Sequence, residues 1–239
     1  MTFRETSPPF DLMDLGRMAY APAMEVQRRA HRRVLAGAAA PTLILVEHEP
    51  VITLSKRRCA ATNLRAPQEV LARLGIEVHQ TDRGGDITYH GPGQVVLYPI
   101  VELASYRLNI GRYMRWLEQI VIDAVAAFGV QTFREPKLAG VWAHDPQHGP
   151  ATAAKLCAVG VRVERGVTLH GAALNVNTCL EHFQTIVPCG LADRPVTSLE
   201  RLLGASAPAF EAVKRRVVES FGHGLANLVA TPGPMPASF

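Results

Sequence analysis

Cys189 is the residue of this sequence whose setting best fits covalent chemistry. It lies between Pro188, which stiffens the backbone, and Gly190, which permits a sharp turn, so an exposed thiol near backbone N–H groups is expected. A thiol has an ordinary pKa of about 8.5, and a nearby cation favours its ionised form. The setting predicts a nucleophile able to carry an acyl group, but it suits a hydrolase, a ligase or a transferase equally.

Lys155 supplies a candidate cation for such a site. It opens the apolar run KLCAVGVRV, and strand alternation predicts that Lys155, Cys157 and Val159 share one face. A lysine in this position is often an edge charge whose stem lies along apolar surface. It also suits a site that holds a fixed cation against a thiol or an acyl carbonyl, and the sequence leaves both interpretations open.

A glycine-rich segment, RGGDITYHGPGQ at residues 83–94, is the most unusual part of the chain. Glycine lets a ligand approach the backbone closely. Asp86, Thr88 and His90 alternate with apolar residues, so they are expected on one face of a short strand. A hairpin with its polar residues in water is the alternative. The segment matches neither the P-loop nor the dinucleotide-binding pattern.

Small residues, Gly171-Ala172-Ala173, stand in the middle of a predicted strand at 167–176. They leave room beside the sheet that a hydrocarbon tail or a closely packed helix could fill. His170, directly before them, is by itself more typical of a core histidine than of a catalyst.

Composition limits the class of protein. The 239 residues are 48% hydrophobic and 19% charged, with a scattered net charge of +4 that fits acidic protein partners better than nucleic acid. No apolar stretch reaches the roughly 18 residues of a membrane span, and the N-terminus lacks a secretory signal, so a cytoplasmic protein is expected. The four cysteines form no CxxC pair and no zinc spacing, which predicts free thiols and no metal. No cofactor is expected either.

Periodicity predicts the elements that must position these groups. Strands are predicted at 42–46, 51–54, 76–79, 95–101, 156–163 and 167–176, and helices at 17–35, 67–74, 111–128, 196–203 and 209–228. The first helix carries a stripe of Arg28, Arg29, Arg32 and Arg33, interpreted as a solvated face or as a docking site for an acidic partner. Strands cluster centrally without regular βαβ alternation, which predicts an α/β (α+β) fold with a mixed central sheet. A single domain over residues 1–239 is predicted. Residues from about 192 to 239 could form a small C-terminal helical part of it.

Four motifs together resemble the lipoyl(octanoyl) transferase family: RGGDITYHGPGQ, KLCAVGVRV, LHGAALNVN and IVPCGL, in the family's order within residues 43–203. That family is similar in fold to the biotin and lipoate protein ligases. The resemblance implies transfer of an octanoyl group from octanoyl-acyl carrier protein to a lysine of lipoyl domains, by ping-pong kinetics. The acceptors implied are the E2 subunits of 2-oxoacid dehydrogenases and the glycine cleavage H protein.

The resemblance also implies roles for individual residues. Cys189 falls on the acyl-thioester cysteine, and Lys155 falls on the lysine that lowers its pKa. The implied substrate-binding residues are Arg83, Gly84, Gly85, Asp86, Ile87, Thr88, Tyr89, His90, Ala158, Val159, Gly160, Gly171, Ala172 and Ala173, with His170 as an accessory residue. Two departures are Ser55, where the family commonly has glycine, and VWAHDPQHGPATAA at 141–154, which looks like an insert at the lip of the site.

Several alternatives stay open. An ATP-dependent lipoate or biotin ligase would use the same fold without a nucleophilic cysteine. A cysteine protease or amidase would pair Cys189 with His170 or His182, and a non-catalytic protein would only bind lipoyl domains. For a transferase, Lys155, His90 and His170 are each candidates to accept the proton of the attacking lysine.

Overall fold

The computed structural model describes residues 10–56, 60–149, 152–187 and 194–230. The strands within these ranges are β1 (Asp11–Met18), β2 (Thr42–His48), β3 (Val51–Leu54), β4 (Glu77–Gln80), β5 (Ile87–His90), β6 (Gln94–Ile100), β7 (Val141–His144), β8 (Ala153–Glu164) and β9 (Val167–Asn175). The α-helices are α1 (Tyr20–Leu35), α2 (Gln68–Arg73), α3 (Ile110–Ala126), α4 (Leu199–Leu203) and α5 (Phe210–Ala230).

A central sheet has the strand order β1-β2-β6-β9-β8-β7. β1 and β2 are parallel, and every other neighbouring pair in this sheet is antiparallel. The predicted mixed central sheet is therefore confirmed. The antiparallel pairing of β8 and β9 through Arg165-Gly166 also matches the prediction.

Helices cover both faces of the central sheet. Alternate residues of β2 and β6 supply two separate cores, as the two-residue period of a strand requires. Leu43, Leu45 and Leu97 belong to the cluster that contains α3 and α5, whereas Ile44 and Val96 belong to the cluster that contains α1. This double burial explains the continuous apolar runs at 43–46 of β2 and 95–97 of β6.

A second, smaller sheet has the order β4-β3-β5, with β4 parallel and β5 antiparallel to β3. Its own core contains Ile52, Ile87 and Tyr89. The predicted strands at 42–46 and 51–54 both exist, but they belong to different sheets and are not partners.

The two edge strands of the central sheet, β1 and β7, were not predicted from the sequence. The helix expected from residue 17 begins at Tyr20, and β1 precedes it. β1 is mostly exposed and carries polar and charged residues, so its sequence lacks the apolar alternation of an internal strand. The residues interpreted as an insert contain β7 and the start of β8, so much of that segment extends the central sheet.

The C-terminal helices lie on the α3 face of the central sheet. α4 begins at Leu199, later than predicted, because the Ser198 side chain accepts a hydrogen bond from Arg201 N and caps the helix. Val213, Val217 and Phe221 of α5 share one core cluster with α3 and the sheet.

Candidate active site

A cavity, called here the inter-sheet cavity, lies between the small sheet and the central sheet. Its walls are Tyr20, Arg83, Gly85, Thr88, His90, Val96, Tyr98, Lys155, Ala158, Val159, Gly160, His170, Gly171, Ala172 and Ala173. Three separate motifs of the sequence thus meet around one space. Of the predicted substrate-binding residues, Gly84, Asp86, Ile87 and Tyr89 are not part of its wall.

An irregularity in β8 turns Lys155 into this cavity. Trp142 pairs with Lys155 and Val141 with Cys157, so Leu156 is an extra residue on β8. The bulge reverses the alternation, and Lys155 faces the cavity together with Ala158 and Gly160. The expectation that Cys157 shares the face of Lys155 is wrong, because Cys157 is buried in the core against α3.

Lys155 is buried beside an aromatic ring. Its ammonium nitrogen lies 4.7 Å from the centroid of the Trp142 ring, a cation–π contact that stabilises the charge without a carboxylate. Within the described parts of the chain, no carboxylate forms an ion pair with it. Its backbone N–H donates to Pro195 O at 2.9 Å, and its carbonyl accepts from Thr197 N at 3.0 Å. The chain that follows Cys189 is thereby joined to Lys155.

Small residues of β8 and β9 form the floor of the cavity. Ala158 pairs with Ala173, Val159 with Ala172, and Gly160 with Gly171. A Cβ on Gly171 would lie 2.1 Å from Leu97 O, so only glycine lets β9 pack against β6 at this point. A Cβ on Gly160 would lie 2.9 Å from Gly84 O, which explains how the glycine-rich segment approaches the sheet.

The glycine-rich segment closes over this floor. Gly84 N donates to Val161 O at 2.9 Å, which ties the segment to β8. The Arg83 guanidinium donates to the Thr53 hydroxyl and, at 2.8 Å, to the Thr53 carbonyl, so it ties the glycine-rich segment to β3. Asp86 accepts from Asn63 Nδ2 at 2.7 Å.

The predicted alternation within β5 is confirmed. Thr88 and His90 line the cavity, whereas Ile87 and Tyr89 belong to the core of the small sheet. All four are buried, so the alternative of a hairpin with polar residues in water is wrong.

Two neutral histidines lie at this side of the cavity: His90 in its wall and His48 behind it. His90 Nδ1 donates to Gln94 Oε1 at 2.7 Å, and burial lowers the pKa of His90 to about 3. His48 Nδ1 donates to Met18 O, its Nε2 accepts from the Tyr98 hydroxyl at 2.8 Å, and burial lowers its pKa to about 4. Both rings are therefore uncharged at neutral pH.

His170 lies at the far end of the cavity from Lys155. It pairs with Val161, six residues beyond Lys155 on β8, or about 20 Å along the strand. Its backbone has φ of 60°, a left-handed conformation that is costly for a residue with a side chain. Its N–H donates to Gln27 Oε1 at 2.9 Å, and its Nε2 donates to Asp82 Oδ1 at 2.7 Å. This hydrogen bond and Arg162 lower the pKa of Asp82 to about 2, so Asp82 is ionised.

The cavity also contains residues that sequence reasoning missed. Tyr20 comes from the first turn of α1, and Val96 and Tyr98 come from β6. Nothing in their own segments resembles a functional motif. Only Tyr98 gave an indirect indication. A tyrosine hydroxyl in an otherwise apolar internal strand needs a hydrogen-bond partner, which points to a polar site nearby.

Two of the four cysteines, Cys157 and Cys179, lie within the described residues. Cys189 and Cys59 lie outside the described residues. Burial raises the pKa of Cys157 to about 12, which makes it an inert thiol, whereas Cys179 is exposed.

Within the described ranges, no group of three His, Cys, Asp or Glu side chains is placed to hold a metal ion. In the same ranges, no helix is long and apolar enough to cross a membrane.

Comparisons with known proteins agree with this geometry. Residues 19–222 match the model of the lipoyl protein ligase A/B catalytic domain. An octanoyltransferase of Acidobacterium capsulatum is 44% identical over 220 residues, covering 89% of this chain and 88% of the relative. An octanoyltransferase of Solibacter usitatus is 47% identical over 191 residues, covering 80% of this chain and 82% of the relative.

A solved structure shows the same fold. Lipoate-protein ligase A bound with ATP superposes with a TM-score of 0.72 at 15% identity, covering 91% of this chain and 85% of that one. The predicted ligase-like fold and the predicted family resemblance are both confirmed. The chain belongs to the lipoyl protein ligase A/B catalytic domain family.

Proposed function

We propose that this chain is an octanoyltransferase that moves an octanoyl group from acyl carrier protein to a lysine of a lipoyl domain, through a thioester on Cys189. The observation that carries the proposal is the inter-sheet cavity. It has a buried cation, Lys155, at one end and a floor of alanine and glycine leading away from it. The relatives named octanoyltransferase support the same chemistry.

The floor suits a hydrocarbon chain. Ala158, Ala172 and Ala173 offer apolar surface, and Gly160 and Gly171 leave room for atoms beside the sheet. Each methylene buried there contributes up to about 0.8 kcal/mol, which favours a medium-length acyl group over a short one. No cofactor or metal takes part in this scheme.

The number of residues between Cys189 and Pro195 limits how far the thiol can be from this cavity. Cys189 stands six residues before Pro195, whose carbonyl accepts from Lys155 N. Six residues span at most about 21 Å, so the thiol is within reach of the Lys155 end of the cavity. The ammonium group of Lys155 would favour the thiolate there.

In the first half-reaction, the Cys189 thiolate attacks the carbonyl carbon of the carrier thioester. A bond from carbon to Cys189 Sγ forms, the bond from carbon to the carrier sulfur breaks, and Lys155 donates a proton to the departing carrier thiolate. The acyl group then lies along the floor of the cavity, and Lys155 is neutral.

In the second half-reaction, the amine of the lipoyl-domain lysine attacks the Cys189 thioester. The new C–N bond forms, Lys155 accepts the proton lost by the amine, and the Cys189 thiolate leaves. This cycle restores both groups. His90 is a poor proton acceptor because its pKa is about 3, and His170 lies at the opposite end of the cavity.

The exposed face of α1 supports recognition of acidic partners. Arg28, Arg29, Arg32 and Arg33 are all exposed, as the sequence predicted. Such a stripe increases the rate at which an acidic carrier or lipoyl domain docks. The E2 lipoyl domains and the glycine cleavage H protein are the proposed acceptors.

Intact mass spectrometry after mixing with octanoyl-carrier protein tests the proposal. We expect one octanoyl adduct on Cys189, absent from Cys189→Ser and retained by Cys179→Ser, which removes an exposed cysteine as a matched control. An adduct on Cys157 or Cys59 would overturn the assignment. Octanoylation of a lipoyl domain only when ATP and free octanoate are supplied would instead show a ligase.

A further inference from the structure

Two side chains separate the inter-sheet cavity from a second, open groove. This outer groove runs between α1 and the loop that follows β4, and its lining includes Met24, Arg28, Lys56 and Asp82. Among the residues that line the two spaces, Tyr20 and His170 are the pair common to both. They come from different elements, α1 and β9, and together they stand between the spaces.

Both side chains are fixed by consecutive residues of one loop. The Tyr20 hydroxyl donates to Thr81 Oγ1 at 3.0 Å, and His170 Nε2 donates to Asp82 Oδ1 at 2.7 Å. The loop is itself anchored, because Thr81 N donates to Leu54 O at 2.8 Å. The two rings are therefore held rigidly, and both are at most 5% exposed.

His170 lies at the end of the cavity opposite Lys155, and Tyr20 is joined to this end because the two side chains are hydrogen-bonded to the consecutive residues Thr81 and Asp82. The distance of about 20 Å along β8, from Lys155 to the residue that pairs with His170, includes the lengths of the Lys155 side chain and of the His170 ring. With C–C bonds of about 1.5 Å, an extended eight-carbon chain spans roughly 9 Å. An octanoyl group whose carbonyl lies near Lys155 thus directs its methyl end toward Tyr20 and His170.

We propose that Tyr20 and His170 form an end wall that sets the maximum acyl-chain length of this enzyme. The inference rests on the proposed function. Behind the wall is a groove lined with charged side chains, so a longer chain is blocked unless the wall opens. Tyr20 is the residue chosen for the test, because His170 has a left-handed backbone that is hydrogen-bonded to Gln27, so its replacement would also disturb the fold.

Competition between acyl carriers tests the wall. Octanoyl- and dodecanoyl-carrier protein are supplied to wild type and Tyr20→Ala with a lipoyl domain as acceptor, and the ratio of kcat/KM for twelve against eight carbons is measured. We expect at least a tenfold rise of this ratio in Tyr20→Ala. Tyr20→Phe, which keeps the ring, should retain the preference for octanoyl.

Met24→Ala is the matched control, since Met24 lies on the same helix and lines only the outer groove. It should leave the ratio unchanged, and an equal rise there would contradict the wall. Thermal unfolding is recorded for each variant, and Tyr20→Leu gives the same comparison if Tyr20→Ala does not fold.

The outcomes separate the two proposals. If wild type transfers octanoyl and the ratio in folded Tyr20→Ala or Tyr20→Leu does not rise, the end wall is overturned while the proposed function stands. If wild type transfers no octanoyl group from the carrier to the lipoyl domain, the proposed function itself fails.

Discussion

At the scale of single residues, Lys155 shows how a cation is kept inside an apolar cavity. The ring of Trp142 contacts the ammonium group, while the backbone on both sides of the residue is hydrogen-bonded to the segment after Cys189. Among the described residues no carboxylate pairs with this ammonium group, so its charge remains available to an anion that enters the cavity. A thiolate is the anion that the proposed mechanism supplies.

Replacing Lys155 with alanine should raise the pH at which Cys189 is alkylated, by about one unit if the charge contributes about 1.4 kcal/mol. The measurement is the rate of iodoacetamide labelling of Cys189 from pH 5 to 10, followed by peptide mass spectrometry in a Cys179→Ser background. Lys155→Arg, which keeps a cation near Trp142, should shift the profile less. An identical profile in Lys155→Ala would reject the tuning role.

At the scale of elements, the site depends on how closely three strands approach one another. β9 packs against β6 at Gly171, and β8 carries the bulge that turns Lys155 toward the cavity. Neither Gly171 nor Leu156, the extra residue of the bulge, supplies a group that reacts. Both decide whether the groups that do react share one space.

Gly171→Ala should destabilise the protein by about 1–3 kcal/mol or more, because its Cβ would lie 2.1 Å from Leu97 O and the strands must separate. Urea unfolding followed by circular dichroism measures the loss. Gly111→Ala is the matched control, since a Cβ in this position of α3 would meet its nearest atom at 3.5 Å. The control should be at least as stable as wild type, and equal loss in both variants would refute the steric explanation.

At the scale of the whole molecule, the interface between α1 and the two sheets buries uncharged histidines. The His48 and His90 rings lie 5.8 Å apart, so protonating one disfavours protonating the other. Their pKa values of about 4 and 3 lie below the ordinary value of about 6.5. The stability that this provides is complete above pH 6.5 and is lost as pH falls toward the folded-state values.

Acid should therefore destabilise the protein already in the mild range from pH 6.5 to 4. Each of the two histidines is expected to lower the free energy of unfolding by up to about 1.4 kcal/mol per pH unit, because the unfolded chain binds a proton that the folded chain excludes. Urea midpoints between pH 7.5 and 4.5 measure the slope. His90→Asn should flatten it, and a slope unchanged by this substitution would show that the acid sensitivity arises elsewhere.

The sequence by itself was enough to identify the family and most of the cavity wall. Thr88, His90 and the small residues of β8 and β9 are contiguous in short motifs, and strand alternation is a local property that can be read from residue types. The mixed sheet followed from strands that cluster without regular crossovers. Cys189 and its role stay predictions.

Only the tertiary structure decided how these pieces face one another. The bulge that turns Lys155 away from Cys157 depends on the pairing of β8 with β7, a strand that the sequence did not reveal. The position of His170, far from Lys155, depends on the register of β8 against β9. Tyr20 and Tyr98 enter the cavity through contacts between elements distant in the chain. Register and long-range packing are set by the whole core, so local periodicity does not contain them.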